Sequence, residues 1–185
     1  MAKNIAIIPA RGGSKRLKDK NIYPLLGKPL LGYSIEACLA SEYIDEVIVS
    51  SDDSRILSVA KEFGATPLLR DSKFADDQTP KIVAIRAVIN QLLTENYIFN
   101  NVAIVQANSP QLTAEMLNEG FKLFVDHKLW EVMSADSNGV QNAAFRIIKK
   151  EVAFQEFLSA HCGFCVCNVL DVHTIEDIKM LEKLL

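Results

Sequence analysis

Residues 4–9 (N-I-A-I-I-P) form an almost unbroken apolar run that breaks at once into Ala10-Arg11-Gly12-Gly13-Ser14. A short continuous apolar run bounded by glycine suits a strand buried on both faces, and such strands belong to sheets covered by helices. No other segment constrains the fold as strongly. It predicts a central strand of an α/β sheet, followed by a loop rich in glycine and positive charge.

The pattern then repeats. Residues 30–40 carry apolar side chains at helical spacing, and residues 45–51 (D-E-V-I-V-S-S) form a second apolar run. Ser51 or Asp52 is placed to cap a helix bearing Ile56, Leu57, Val59, Ala60 and Phe63 that stops at Gly64. Residues 65–69 read as a short strand. Ile82, Ile85, Ile89 and Leu92 mark an amphipathic helix over about 79–93, with Thr79 before Pro80 as its N-cap. Residues 101–106 return to the strand signature, Thr113 is placed to cap a helix to about His127, and 130–135 read as another strand. Residues 163–169 alternate loosely, and Thr174-Ile175-Glu176-Asp177 opens a last helix with a capping-box pattern. Repeated strand-helix alternation predicts an α/β fold with a mostly parallel sheet in three αβα layers. With 185 residues and neither linker nor repeat, one domain over 1–185 is expected.

Twenty Lys and Arg against twenty-three Asp and Glu leave a net charge of −3, so no global attraction to nucleic acid or an anionic membrane exists. No stretch approaches the ~20 apolar residues that span a bilayer. Met1 leads directly into the first strand without a cleavage-type segment. A soluble, cytoplasmic protein is expected, with Cys38, Cys162, Cys165 and Cys167 as reduced thiols. His161-Cys162-Gly163-Phe164-Cys165-Val166-Cys167 contains one C-x-x-C half-site, but there is no second pair, which favours thiols packed as small apolar residues over zinc.

Against that acidic background, residues 11–28 hold Arg11, Lys15, Arg16, Lys18, Lys20 and Lys28 and a single acid, Asp19. Glycines in such a loop let backbone amides approach an anion, so the local field points to a polyphosphate. Neither the P-loop string nor the dinucleotide fingerprint is present. The alternatives are a solvated basic loop or a small nucleic-acid patch. In an open α/β sheet, ligands sit beyond the carboxyl ends of the strands, so the loops after Pro9, Ser51 and Gln106 should converge on one crevice.

Ile7-Ile8-Pro9-Ala10-Arg11-Gly12-Gly13-Ser14-Lys15, with Lys20-Asn21-Ile22 and Leu26-Gly27-Lys28-Pro29-Leu30, resembles the signature of the acylneuraminate cytidylyltransferases, the CMP-sialic acid synthetases. Val47-Ile48-Val49-Ser50-Ser51-Asp52-Asp53, Gly64-Ala65, Leu69-Arg70, Asp77 with Thr79-Pro80, and Gln106 with Ser109-Pro110 extend the likeness over about 4–127. The resemblance implies a nucleotidyltransferase-type fold that transfers CMP from CTP to the anomeric hydroxyl of a sialic-acid-like nonulosonic acid and releases pyrophosphate. It implies magnesium, or manganese, as cofactor. Arg11 and Lys20 would grip the triphosphate and Lys15 would add to that cluster. Ala10, Gly12, Gly13 and Ser14 would line the nucleotide, with Asn21, Arg70 and Thr79 bordering the nucleoside. Gln106, Asn108 and Ser109 would meet the acceptor.

Bland readings stand beside these. Arg70 next to Asp71 could be an exposed ion pair, Asp52 and Asp53 suit capping better than a metal pair, and Ser109-Pro110 could be an ordinary turn. The family's Q-P-T-S-P-L-R-T is altered here at Ala107, Asn108, Gln111 and Leu112, the last replacing an arginine. Where the family has two metal-binding aspartates on one face of a strand, this chain has Asp171 and His173, and imidazole is a poor ligand for Mg²⁺. The stretch 132–171 is much longer in the family and projects as a dimerisation arm, so a homodimer is weakened here. Arg146, Lys149 and Lys150 read as surface charges. Transfer to another acid sugar, or a degenerate nucleotide-binding homologue, remain the competing functions.

Overall fold

The computed structural model describes residues 3–71 and 80–185. The order is β1 Asn4–Pro9, β2 Pro24–Leu25, β3 Lys28–Pro29, α1 Leu30–Leu39, β4 Glu46–Ser51, α2 Ser54–Glu62 and β5 Thr66–Leu69. It continues through α3 Lys81–Thr94, β6 Asn101–Val105, α4 Ala114–Asp126, β7 Glu131–Ala135, β8 Gln141–Lys149, β9 Cys162–Val166 and α5 Ile175–Leu181. Short 3-10 turns occupy Lys20–Ile22 and Lys150–Phe154. β2 and β3 form a small separate hairpin, and the other seven strands form one sheet ordered β5-β4-β1-β6-β8-β7-β9. β5, β4, β1 and β6 run parallel, β8 is antiparallel to both neighbours, and β7 and β9 pair in parallel.

β1 explains the layering. Its Ala6 and Ile8 join the cluster packed by Leu31, Ile35, Ile56, Leu117 and Phe121, which puts α1, α2 and α4 on one face. Ile5 and Ile7 join Ile85, Val88, Ile89 and Leu92 of α3 on the other. Four consecutive fully buried residues, Ile5 to Ile8, are what a strand sandwiched between two helical layers requires. A third cluster lies outside the sheet, where Leu17, Leu25 and Leu30 meet Val172, Ile178 and Leu181 of α5 and its approach. That contact fastens the carboxyl-terminal helix to the basic loop.

The caps follow the sequence signals with one shift. Thr113 accepts from the Met116 amide, and Thr174 and Asp177 form the reciprocal capping box. For α2 the cap is Asp53, whose Oδ1 accepts from the Arg55 amide at 2.8 Å, rather than the expected Ser51 or Asp52. The Asp52 carboxylate is occupied by the amide of Gly12, so the helix starts one residue later. The expected cap Thr79 lies outside the described residues, as does Asp77.

β8 is the element the sequence hides. Its Q-N-A-A-F-R-I-I-K run lacks clean alternation because Arg146 sits among buried residues and a bulge shifts its register with β7. It fills the sheet between β6 and β7, so 132–171 contributes β8, β9 and nearly all of β7 to the main sheet. β9 ends at Val166, earlier than the alternation suggests, because Cys167 makes the last ladder-like bond, to Ala135 O, before the chain leaves the sheet.

α4 approaches the sheet closely at Gly120, where an added Cβ would stand 2.7 Å from the Phe145 ring. Gly120→Val is expected to cost about 1–3 kcal/mol through overpacking, read as a lower urea midpoint with an unchanged slope.

Candidate active site

The chain moves outward from β1 to β4 and β5, then returns to the other side of β1 as β6. The carboxyl ends of β1 and β6 therefore flank the point where the strand order reverses, where open sheets leave a crevice. Loops from β1, β4, β5 and β6 all reach it.

The loop after β1 is held from below. Ala10 is fully buried and its amide donates to Ser50 O at 3.0 Å. The Gly12 amide donates to Asp52 Oδ1 at 3.0 Å, and a Cβ on Gly12 would stand 3.1 Å from Asp53. Gly13 is exposed and adopts φ +64°, a turn that an L side chain would strain. Asn21, buried, donates its amide to the Arg11 carbonyl at 2.9 Å, so it braces the loop. Asp19, the loop's lone acid, bonds Arg55 at 2.8 Å, and Arg55 also grips Asp53 at 2.7 Å. Those bonds pull the Asp53 carboxyl below its ordinary value and raise that of the guanidinium.

Not all six loop cations act together. Lys28 turns away to Glu36 and the Tyr33 ring. Lys15 and Lys18 are exposed, and Ser14 is half-buried. Lys20 sits in a crowd: burial lowers its pKa most, Arg16, Arg11 and Lys81 press the same way, and Asp171 opposes them. Lys81, the first residue of α3, is a member the sequence reading missed. It is open to solvent yet ringed by protein, and burial lowers its pKa against the pull of Asp171. The available signal was a cation in the first turn of a helix, where the dipole disfavours it.

Arg70 overturns the exposed-pair alternative. It is 7% exposed, its amide donates to Ser51 O, and its guanidinium faces Asp52 at 3.7 Å. Its Nε is buried without a partner among the described residues. Burial lowers its pKa while Asp52 resists that shift. A buried donor of this kind is suited to an acceptor brought by a ligand.

On the β6 side, Gln106 is half-buried and its backbone is tied to Ser34 and Ala144. Asn108 and Ser109 are latched. The Asn108 side chain donates to Val172 O at 2.7 Å, Val172 N donates to Asn108 O, and the Ser109 hydroxyl donates to Asp171. They hold the 171–173 segment against the loop after β6.

Asp171 and His173 lie in that irregular segment, not on a strand. The His173 Nδ1 faces the Arg16 guanidinium at 3.2 Å, and burial, then Lys20 and Arg16, lower its pKa. Among the described residues no group of three or more His, Cys, Asp or Glu is placed to hold a metal. Nor is any of the described helices long and apolar enough to cross a membrane.

An open, mostly parallel αβα sheet with a cationic glycine loop at its switch point defines a nucleotidyltransferase-type domain. The cytidylyltransferase family profile matches residues 5–165, and the chain belongs to that family. It is 42% identical over 127 residues to the pseudaminic acid cytidylyltransferase of Campylobacter jejuni subsp. jejuni serotype O:23/36 (strain 81-176), covering 68% of this chain and 55% of that protein. It is 35% identical over 120 residues to the CMP-N,N'-diacetyllegionaminic acid synthase of Legionella pneumophila, covering 64% of this chain and 52% of that one. The chain thus spans about half the length of these curated relatives. The solved structure of a CMP:2-keto-3-deoxy-manno-octonic acid synthetase complexed with CTP shares the fold, with a TM-score of 0.80 over 99% of this chain and 98% of that one at 14% identity.

The cysteines pack as small apolar residues. Cys165 and Cys167 lie in the main core, and the Cys167 sulfur meets Met116 Sδ at 3.5 Å. Burial pushes Cys167 up to about 11 and raises Cys38 and Cys165 as well. At pH 8 a thiol of that kind is about one part in a thousand thiolate. Native Cys38, Cys165 and Cys167 should therefore alkylate with iodoacetamide about 10²-fold more slowly than in urea, as followed by mass spectrometry, with the rate climbing as pH rises toward 11.

Proposed function

We propose that this chain transfers CMP from CTP to the anomeric hydroxyl of a sialic-acid-like nonulosonic acid, releasing pyrophosphate. The observation that carries the reading is the gathering of Arg11, Arg16 and Lys81 around the half-buried Lys20 at the switch point, with Asp171 the one acid beside it. So many like charges are costly together unless an anion joins them, and a triphosphate supplies it. In this reading Arg11 and Lys20 hold the triphosphate, with Lys15 adjoining, and the amides around Gly12, Gly13 and Ser14 lie against its oxygens. The Arg70 Nε, without a partner among the described residues, meets an acceptor atom of the nucleoside, beside Asn21. Gln106 faces the acceptor.

The acceptor hydroxyl oxygen bonds to the α-phosphorus as the bond to the β-phosphate oxygen breaks, and its proton passes to solvent. Pyrophosphate departs with the electron pair. Arg11 and Lys20 stabilise the charge that builds on the leaving oxygens, a task of positioning and electrostatics. Asp171 offers a hard carboxylate oxygen suited to Mg²⁺ or Mn²⁺, and is the residue that would hold the ion together with phosphate. His173 is no second donor, since its Nδ1 lone pair faces Arg16. A bound divalent ion would neutralise phosphate charge. The reading implies a cytoplasmic enzyme fed by CTP.

Pyrophosphate release from CTP, assayed over a panel of acid sugars and neutral hexoses, should be fastest with a nonulosonic acid. Arg11→Ala and Lys20→Ala should each lower kcat by about 10²-fold or more. Release that does not depend on any acid sugar would refute the reading.

A further inference from the structure

The start of α2 grips the loop after β1 at two points. Asp52 accepts the Gly12 amide at 3.0 Å, and Arg55 donates to the Asp19 carboxylate at 2.8 Å. Between those points the chain carries Lys15, Arg16 and Lys18. Asp19 takes φ +54°, a left-handed turn that aspartate tolerates better than most residues, and it opens the 3-10 turn that begins with Lys20.

Arg55 forks between two acids. Its Nη2 lies 2.8 Å from Asp19 and 2.7 Å from Asp53, and its Nε donates to Asp53 at 3.2 Å. The Arg55 side chain is 57% exposed, and ion pairs in such surroundings add little to stability. Nor does Asp53 need the guanidinium to cap α2, since the Arg55 backbone amide already meets it. What the fork decides is where the loop's only acid points. Lys20 follows Asp19 directly in the chain, yet the charges that act on Lys20 are those of Arg16, Asp171, Arg11 and Lys81, and Asp19 is not among them. Lys18 and Lys20 flank Asp19, and Arg16 stands three residues before it. A released carboxylate at that position would pair with these cations and repel an incoming triphosphate.

We infer that Arg55 is a positioning residue for nucleotide binding: it holds Asp19 against the start of α2, so that this acid does not compete with the triphosphate for Arg16 and Lys20. Arg55 itself does not touch the nucleotide. This rests on the CTP reading above and adds to it a residue from α2 that acts only through Asp19. Removing Arg55 therefore matters only while Asp19 is charged.

Isothermal titration calorimetry of the whole chain with CTP and Mg²⁺, in the absence of any acceptor, reads the effect directly. Arg55→Ala places a good helix former at an exposed helical position and so keeps the fold, and it should weaken CTP binding about fivefold or more. Asp19→Asn, whose side chain also suits the left-handed turn, should bind CTP as the wild type does. Added to Arg55→Ala, it should restore Kd to within about twofold of wild type. Glu36→Gln added to Arg55→Ala gives the same net charge but leaves Asp19 in place, because Glu36 pairs with Lys28 on α1, and it should restore nothing. Unchanged binding by Arg55→Ala, failure of Asp19→Asn to rescue it, weak binding by Asp19→Asn alone, or rescue by Glu36→Gln would each overturn the assignment. A wild type that binds no CTP would sink the proposed reaction and this assignment with it. Any of the other failures, with wild-type binding intact, would sink the assignment alone.

Discussion

The Asp52 carboxylate joins the loops on which the crevice depends. It accepts the Gly12 amide from the loop after β1 and faces the Arg70 guanidinium delivered by the end of β5. The Arg70 side chain is buried, and in such surroundings charge-assisted contacts are stronger than in water and an unpaired charge is correspondingly costly. Arg55 reinforces the arrangement from α2 by clasping Asp19 and Asp53 together. With its own acid neutralised in this way, the loop keeps a net positive field directed over the end of β1.

A second fastening comes from the opposite end of the chain. Leu17, Leu25 and Leu30 bury against Val172, Ile178 and Leu181, and this apolar contact brings the 171–173 segment over the crevice. Asn108 and Ser109 then lock it by hydrogen bonds to Val172 and Asp171. The result is one acid set beside Lys20 and Lys81, with Arg16 against the imidazole of His173, whose pKa is lowered by burial and then by Lys20 and Arg16.

Much of this frame was readable in advance. β1 matches its apolar run residue for residue, Thr113 and Thr174 cap where their spacing predicts, and the basic loop lies at the crevice as the parallel-sheet rule requires. These features are local, set by side-chain period, backbone chemistry and charge along a few residues. The misses are of a different kind. β8 has meaning only as a partner of β6 and β7, and Arg146 looks solvent-bound until Glu131 is seen beneath it; for Arg70, the docking of β5 beside β4 removes only the exposed-pair alternative.

The amino-acid sequence alone determined the layered α/β frame, the strand that anchors it and the positive loop, because apolar periodicity and glycine placement act over short distances. Which charges meet was decided only by the tertiary structure. Asp52 with Gly12 and Arg70, Ser109 with Asp171, and Lys81 with Lys20 come from separate stretches of chain. Electrostatic and hydrogen-bond energies fall off within a few ångströms, so such pairs exist only once the sheet order and the docking of α5 have fixed those distances.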